Sequence, residues 1–141
     1  MPIVALRNKT PQQIRDAVNG FARRYVEDWN RWLHVEDEQR WRLFGTILRK
    51  WQATRPKRMR RLQQEAHHSP PYLDDLIRQA QPQLDIVGHL TVPGISNRTT
   101  AQDDALRALW TIFEALPVDG SASCVGITKA ILLLTDGRIG P

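Results

Sequence analysis

Cysteine is nearly absent: Cys124 is the only one in 141 residues. A single cysteine excludes an intramolecular disulfide and leaves a cysteine-based zinc site without partners. It suits a reducing, intracellular setting, and a cytoplasmic location is expected. Long apolar runs are also missing. No stretch approaches the ~20 residues of a membrane span. Near the start, Ile3 to Leu6 is too short for a secretory leader and no cleavage pattern follows it. Carboxylate dyads, catalytic triads and Gly-rich phosphate loops are not visible either. The sequence therefore assigns no catalytic residue, no metal ligand and no cofactor. His67-His68 lies near Asp74-Asp75, but adjacent histidines face different sides of a helix and no third ligand falls at helical spacing. Cys124, beside apolar Val125, reads as a small buried side chain. Asp103-Asp104 reads as a helix first turn.

Acidic residues are missing from one place in particular. Arg40, Arg42, Arg49, Lys50, Arg55, Lys57, Arg58, Arg60 and Arg61 follow one another with no Asp or Glu between them. The chain carries a net charge of +5, with 20 basic and 15 acidic residues. Outside this segment 11 basic residues face 15 acidic ones, so a mildly acidic body carries one basic stretch. Segregated charge of this kind favours anionic partners. Arginine predominates in the stretch, and its planar fork meets phosphate oxygens bidentately. Trp41 and Trp51 are interleaved with the cations, but both fall on an apolar helical stripe and are expected in the core.

Periodicity organises the chain as helices. Thr10-Pro11 supplies a cap and a first-turn proline. Ile14, Val18, Phe21, Tyr25, Trp29 and Trp32 then mark one face of a helix to about Leu33, with Gly20 as a place for close helix contact. Glu36, Asp37 and Glu38 suit the start of a second helix. Trp41, Phe44, Ile47, Leu48 and Trp51 form its stripe, Arg49 and Lys50 suit its end, and Arg55-Pro56 stops it. A polar third helix is expected from Lys57 to about His67, and a short fourth from Tyr72 to Ala80 that stops near Pro82. Residues 83–98 read as a short strand or a packed loop. Thr99 or Thr100 caps the next helix, with Asp103 in a capping-box position and Leu106, Leu109, Trp110, Phe113 and Leu116 as its stripe. A last helix is expected from Gly126 to about Thr135. These elements predict an all-α fold, a single compact domain of five or six helices spanning residues 1–141.

The stretch VGITKAILLL, from Val125, resembles the second half of the helix–hairpin–helix element of the DNA base-excision glycosylases. That family's pattern is Leu-Pro-Gly-Val-Gly, one variable residue, Lys, Thr, Ala and an apolar run. Val125, Gly126 and Ala130 match it, and Leu132, Leu133 and Leu134 fall on the apolar run. Thr128 stands where lyase-active members carry a catalytic lysine, with Lys129 one place on. Ser123-Cys124 replaces Pro-Gly, after the longer loop PVDGSAS. The resemblance covers about 17 of 141 residues. It implies that the turn at Gly126 and the helix start behind it hold a DNA phosphate, with Lys129 nearby. It also implies that a Pro-containing turn and an essential aspartate would follow DGRIGP, so that the chain reads as a fragment or a degenerate relative. The other reading makes Gly137 an ordinary helix C-cap.

Together these features predict non-catalytic binding of a nucleic-acid backbone, with duplex DNA as the expected partner, through a basic helix-turn-helix-like segment. Its candidate contacts are Arg49, Lys50, Arg55, Lys57, Arg58, Arg60 and Arg61, assisted by Gly126 and Lys129. Two alternatives stand beside it: a glycosylase-like or nuclease-like fragment lacking its C-terminal catalytic segment, and a helical module that docks an acidic protein.

Overall fold

In the computed structural model the described residues are 10–91 and 93–139, and the side chains of 17–24 lie outside the description. Five α-helices and two 3-10 turns form among them, with no strand. The helices are α1 (Pro11–His34), α2 (Asp37–Lys50), α3 (Leu73–Val87), α4 (Thr100–Phe113) and α5 (Cys124–Leu134). The chain falls into two compact units, residues 1–35 and 36–141. The all-α class expected from periodicity is what these residues adopt. None of the described helices is long and apolar enough to cross a membrane.

The first unit is dominated by α1. Thr10 accepts from the amide of Gln13 at 3.1 Å, and the Gln13 side chain accepts from the amide of Thr10 at 3.0 Å. This reciprocal capping box satisfies two otherwise orphaned donors at the helix start. The expectations for Val18, Gly20 and Phe21 fall outside the described side chains. Ile14, expected on the apolar stripe, is exposed.

In the second unit α3 packs against α4, while α5 packs against α4 and α2. α5 is apolar nearly all round, as a helix enclosed by neighbours must be. Gly126, Ile127, Ala130, Ile131, Leu133 and Leu134 are all buried along it. Phe44 of α2 meets Phe113 of α4 with ring centroids 6.2 Å apart. Leu48, Leu76, Ile77, Leu109 and Leu116 complete a core with almost no exposure. Trp51 joins this core, whereas Trp41, Leu106 and Trp110 are only half-buried.

Three local expectations are corrected. The helix from Lys57 to His67 does not form. Met59 instead makes an antiparallel bridge with Pro117. The amide of Arg60 donates to Leu116 O at 2.8 Å, and the amide of Val118 donates to Arg58 O at 2.7 Å. Met59, 2 % exposed, anchors the segment through its side chain. Backbone partners from a distant segment and one apolar anchor outweigh the weak propensity of a polar stretch with no apolar face.

α3 does not stop near Pro82 but runs through it to Val87. An interior proline costs roughly 3 kcal/mol. Burial of Ala80 and Val87 on either side offsets that cost. Gly88, at φ 57°, then ends the helix. Cys124, expected to be buried, is exposed at the first position of α5.

Helix ends follow a shared chemistry. After α5 the amides of Asp136 and Gly137 return to Leu133 O at 3.1 Å and Leu132 O at 2.8 Å. After α2 the amides of Gln52 and Ala53 return to Arg49 O and Leu48 O at 3.1 and 3.0 Å. Both are Schellman closures. The left-handed residue is Asp136 in one and Gln52 in the other, each at φ 53°. Gly137, expected as the cap, is the next residue, at φ 82°. At the start of α4, Thr99 caps and its reciprocal partner is Gln102, not Asp103. Asp103 is left to pair with Arg98 and Arg107.

Candidate nucleic-acid interface

The candidate contacts begin with Arg49 and Lys50 at the C-terminal end of α2, where carbonyls point outward and cations are favoured. Arg49 folds back over its own helix. A Cβ at Gly45 would lie 3.2 and 3.3 Å from its two terminal nitrogens, so glycine makes room for the guanidinium. One of those nitrogens is enclosed and meets no acceptor among the described residues. Burial, and then the neighbouring Arg61, lower the proton affinity of Arg49, while Glu65 partly opposes them.

The chain then turns with an inward and an outward side. Trp51, Ala53 and Met59 are buried at 5 %, 2 % and 2 % exposure. Lys50, Arg55, Lys57 and Arg61 are exposed. Arg55, Lys57 and Arg61 bond to no carboxylate among the described residues. Every cation in this subset therefore reaches solvent from a backbone that three apolar side chains hold down.

Arg58 and Arg60 behave differently. Arg58 forms a fork with Asp119, Nε to Oδ1 at 3.0 Å and a second terminal nitrogen to Oδ2. The hydrogen bond raises the pKa of Arg58 and holds the Asp119 carboxyl below its ordinary range. Arg60 is half-buried and donates through Nε to Ala115 O and through a terminal nitrogen to Pro71 O at 2.7 Å. Burial lowers its pKa. It ties the extended segment to the chain just beyond α4. Neither role was legible locally, since Asp119 lies 61 residues from Arg58 and Ala115 lies 55 from Arg60.

The start of α5 lies against the same turn. Ser123 caps α5 by accepting from the amide of Gly126 at 3.1 Å. A Cβ on Gly126 would stand 1.9 Å from Ala53 O, so this glycine is required by direct backbone contact. Lys129 is half-buried, and its Nζ donates to Trp51 O at the end of α2. The two regions singled out in the sequence, the basic stretch and the glycine-led helix, are thus brought together. The Gly126 amide is occupied by Ser123, and the Lys129 ammonium is occupied by a helix-end carbonyl.

Among the described residues no group of three or more His, Cys, Asp or Glu is placed to hold a metal ion. The rings of His68 and Tyr72 meet at a tilt of 53°, with centroids 5.6 Å apart. Comparison with protein-family models, with curated proteins and with solved structures finds no match for this chain.

Proposed function

We propose that the protein binds the phosphate backbone of nucleic acid, duplex DNA in the first instance, without catalysing a reaction on it. Lys50, Arg55, Lys57 and Arg61 make the contacts, and Arg49 adds its charge from behind Arg61. The observation that supports this reading is the sidedness of the turn: Trp51, Ala53 and Met59 are buried, while Lys50, Arg55, Lys57 and Arg61 are exposed and the last three bond to no carboxylate among the described residues. Arg58, Arg60, Gly126 and Lys129 then serve the interface by holding its backbone in place.

Phosphate contacts release counterions, so affinity falls with salt at a slope of roughly −0.9 per contact. Four contacts correspond to a slope of about −3 to −4 on duplex DNA. The test is fluorescence anisotropy of a labelled duplex across salt concentrations, with wild type and an Arg55→Ala, Lys57→Ala, Arg61→Ala variant. The variant should keep its circular dichroism, flatten the slope by about 3, and weaken all sequences alike, because phosphate contacts carry no base information. Wild-type protein with no salt-dependent binding overturns the reading. So does a folded triple variant that binds as well as wild type. Displacement of protein by polyglutamate in preference to duplex would assign the surface to an acidic protein instead.

A further inference from the structure

At the opposite end of α2 lies an open cleft of about 680 Å³, within the usual range for small-molecule sites. Asp37, Arg40 and Trp41 form one wall from the first two turns of α2. Their spacing of three and four puts them on a single helix face. The facing wall is the last two turns of α3, where Gln81, Leu84 and Asp85 recur at the same spacing, with Gly88 and His89 in the turn that follows. Leu134 and Arg138, from the end of α5 and the turn after it, form the base. Two helices thus present polar stripes to one cavity where packed helices ordinarily present apolar ones.

The charges in this cleft are not settled among themselves. Arg40 pairs with Asp136 at 2.9 Å, outside the cavity lining. Asp85 accepts only from the neutral Gln81 side chain, at 3.0 Å. Neither Asp37 nor Asp85 bonds to a cation among the described residues. Arg138 donates to Gly88 O at 3.0 Å, and its Nε is enclosed without an acceptor. No carboxylate among the described residues meets its charge. Among the described residues, then, the cleft holds two carboxylates that no cation meets and one guanidinium that no carboxylate meets, the last with an enclosed donor unused. An enclosed donor without an acceptor costs about 1–3 kcal/mol, and such a group calls for an explanation in a ligand, ion or water.

We infer that this cleft binds a basic α-amino acid, free or as a terminal residue, whose two cationic groups meet Asp37 and Asp85 and whose carboxylate meets Arg138. The ligand's two positive charges and one negative charge are the complement of the cleft's own. Its methylene chain lies along Leu84, Leu134 and the ring of Trp41, which also attracts a cation over its face. A divalent metal is a poor occupant, because no three metal-ligating side chains converge among the described residues. This inference does not depend on nucleic-acid binding.

The experiment is a titration of the ¹⁵N-labelled full chain with L-lysine, followed by backbone amide shifts of Asp85, Gly88, His89 and Arg138. Parallel titrations use 1,4-diaminobutane, which lacks the carboxylate, L-norleucine, which lacks the side-chain ammonium, and L-glutamate. L-lysine should give saturable shifts at these amides, and each truncated probe should bind at least about tenfold more weakly, the loss of one charge-assisted contact. Asp85→Asn and Arg138→Gln should each weaken L-lysine by about tenfold or more. Asp37→Asn, at an exposed position, repeats the test with little risk to folding. Absence of saturable shifts up to about 10 mM L-lysine overturns the inference. Equal binding of the diamine overturns the role of Arg138, and preferential binding of L-glutamate overturns the charge assignment.

Discussion

The two ends of α2 use charge in opposite ways. At its C-terminal end the cations sit outside, over a backbone fastened by Trp51, Ala53 and Met59, and face water. At its N-terminal end charges of both signs line a cavity. Helix polarity accounts for part of this, since Asp37 and Glu38 complement the start and Arg49 and Lys50 complement the end. The rest follows from the neighbours. The C-terminal end is held by α5 through Gly126 and Lys129, and by Arg60 on the chain beyond α4. The N-terminal end faces α3 across open space. A clamped end offers a fixed surface to a large polyanion, whereas a cleft can enclose something small.

The comparison breaks most severely at Gly126. Gly126→Ala puts a methyl group within 1.9 Å of Ala53 O, and backbone on both sides must move. Overpacking of this kind costs about 3 kcal/mol, to be read as a shift in the urea midpoint. If the clamped surface is the binding surface, duplex affinity falls in the folded variant while the L-lysine shifts in the cleft persist. Equal loss at both ends would show that they are not independent.

Arg60→Met comes next. It keeps the apolar stem but leaves Ala115 O and Pro71 O without their charged donor. Losing such bonds at a half-buried site costs about 2 kcal/mol. Urea denaturation measures the cost, and the salt slope should stay near wild type if Arg60 only holds the segment. A slope reduced by about 1 would instead count Arg60 among the phosphate contacts.

Gln52→Gly works in the other direction. A non-glycine residue in the left-handed region costs roughly 1 kcal/mol, and Gln52 sits there at φ 53°. Glycine should stabilise the protein by up to about 1 kcal/mol once its greater unfolded-state freedom is subtracted. The same measurement on the cleft side would be confounded, because Asp136, the equivalent residue after α5, also pairs with Arg40.

The smallest effect concerns acid. The hydrogen bond from Arg58 depresses the Asp119 carboxyl, so the folded state binds its proton less readily than the unfolded chain does. The stabilisation is therefore complete above the ordinary aspartate value and is lost as pH falls through the lower folded value. Asp103, held by Arg98 and then Arg107, behaves in the same sense. Carboxyl titration by NMR should place both below ordinary exposed aspartates, and Arg58→Gln should restore Asp119 alone. The effect on stability is small, since both pairs face solvent.

What the sequence determined by itself is whatever is decided within a turn or two of chain. Thr10-Pro11, the acidic start and basic end of α2, and the apolar run of α5 each name a helix because cap, dipole and stripe are short-range. The absence of carboxylates from 40 to 61 was likewise readable. Only the tertiary structure decided which of those cations remain available. Asp119 and Ala115, more than fifty residues away, engage Arg58 and Arg60. Leu116 and Val118 draw residues 58–60 out of a helix into extended pairing. Ala80 and Val87 carry α3 through a proline that local rules would take as its end. The cleft was beyond sequence reasoning altogether, since Asp37, Asp85 and Arg138 share no local pattern. Hydrogen bonds and charge pairs depend on distance in space, and the fold alone sets that distance for residues far apart in the chain.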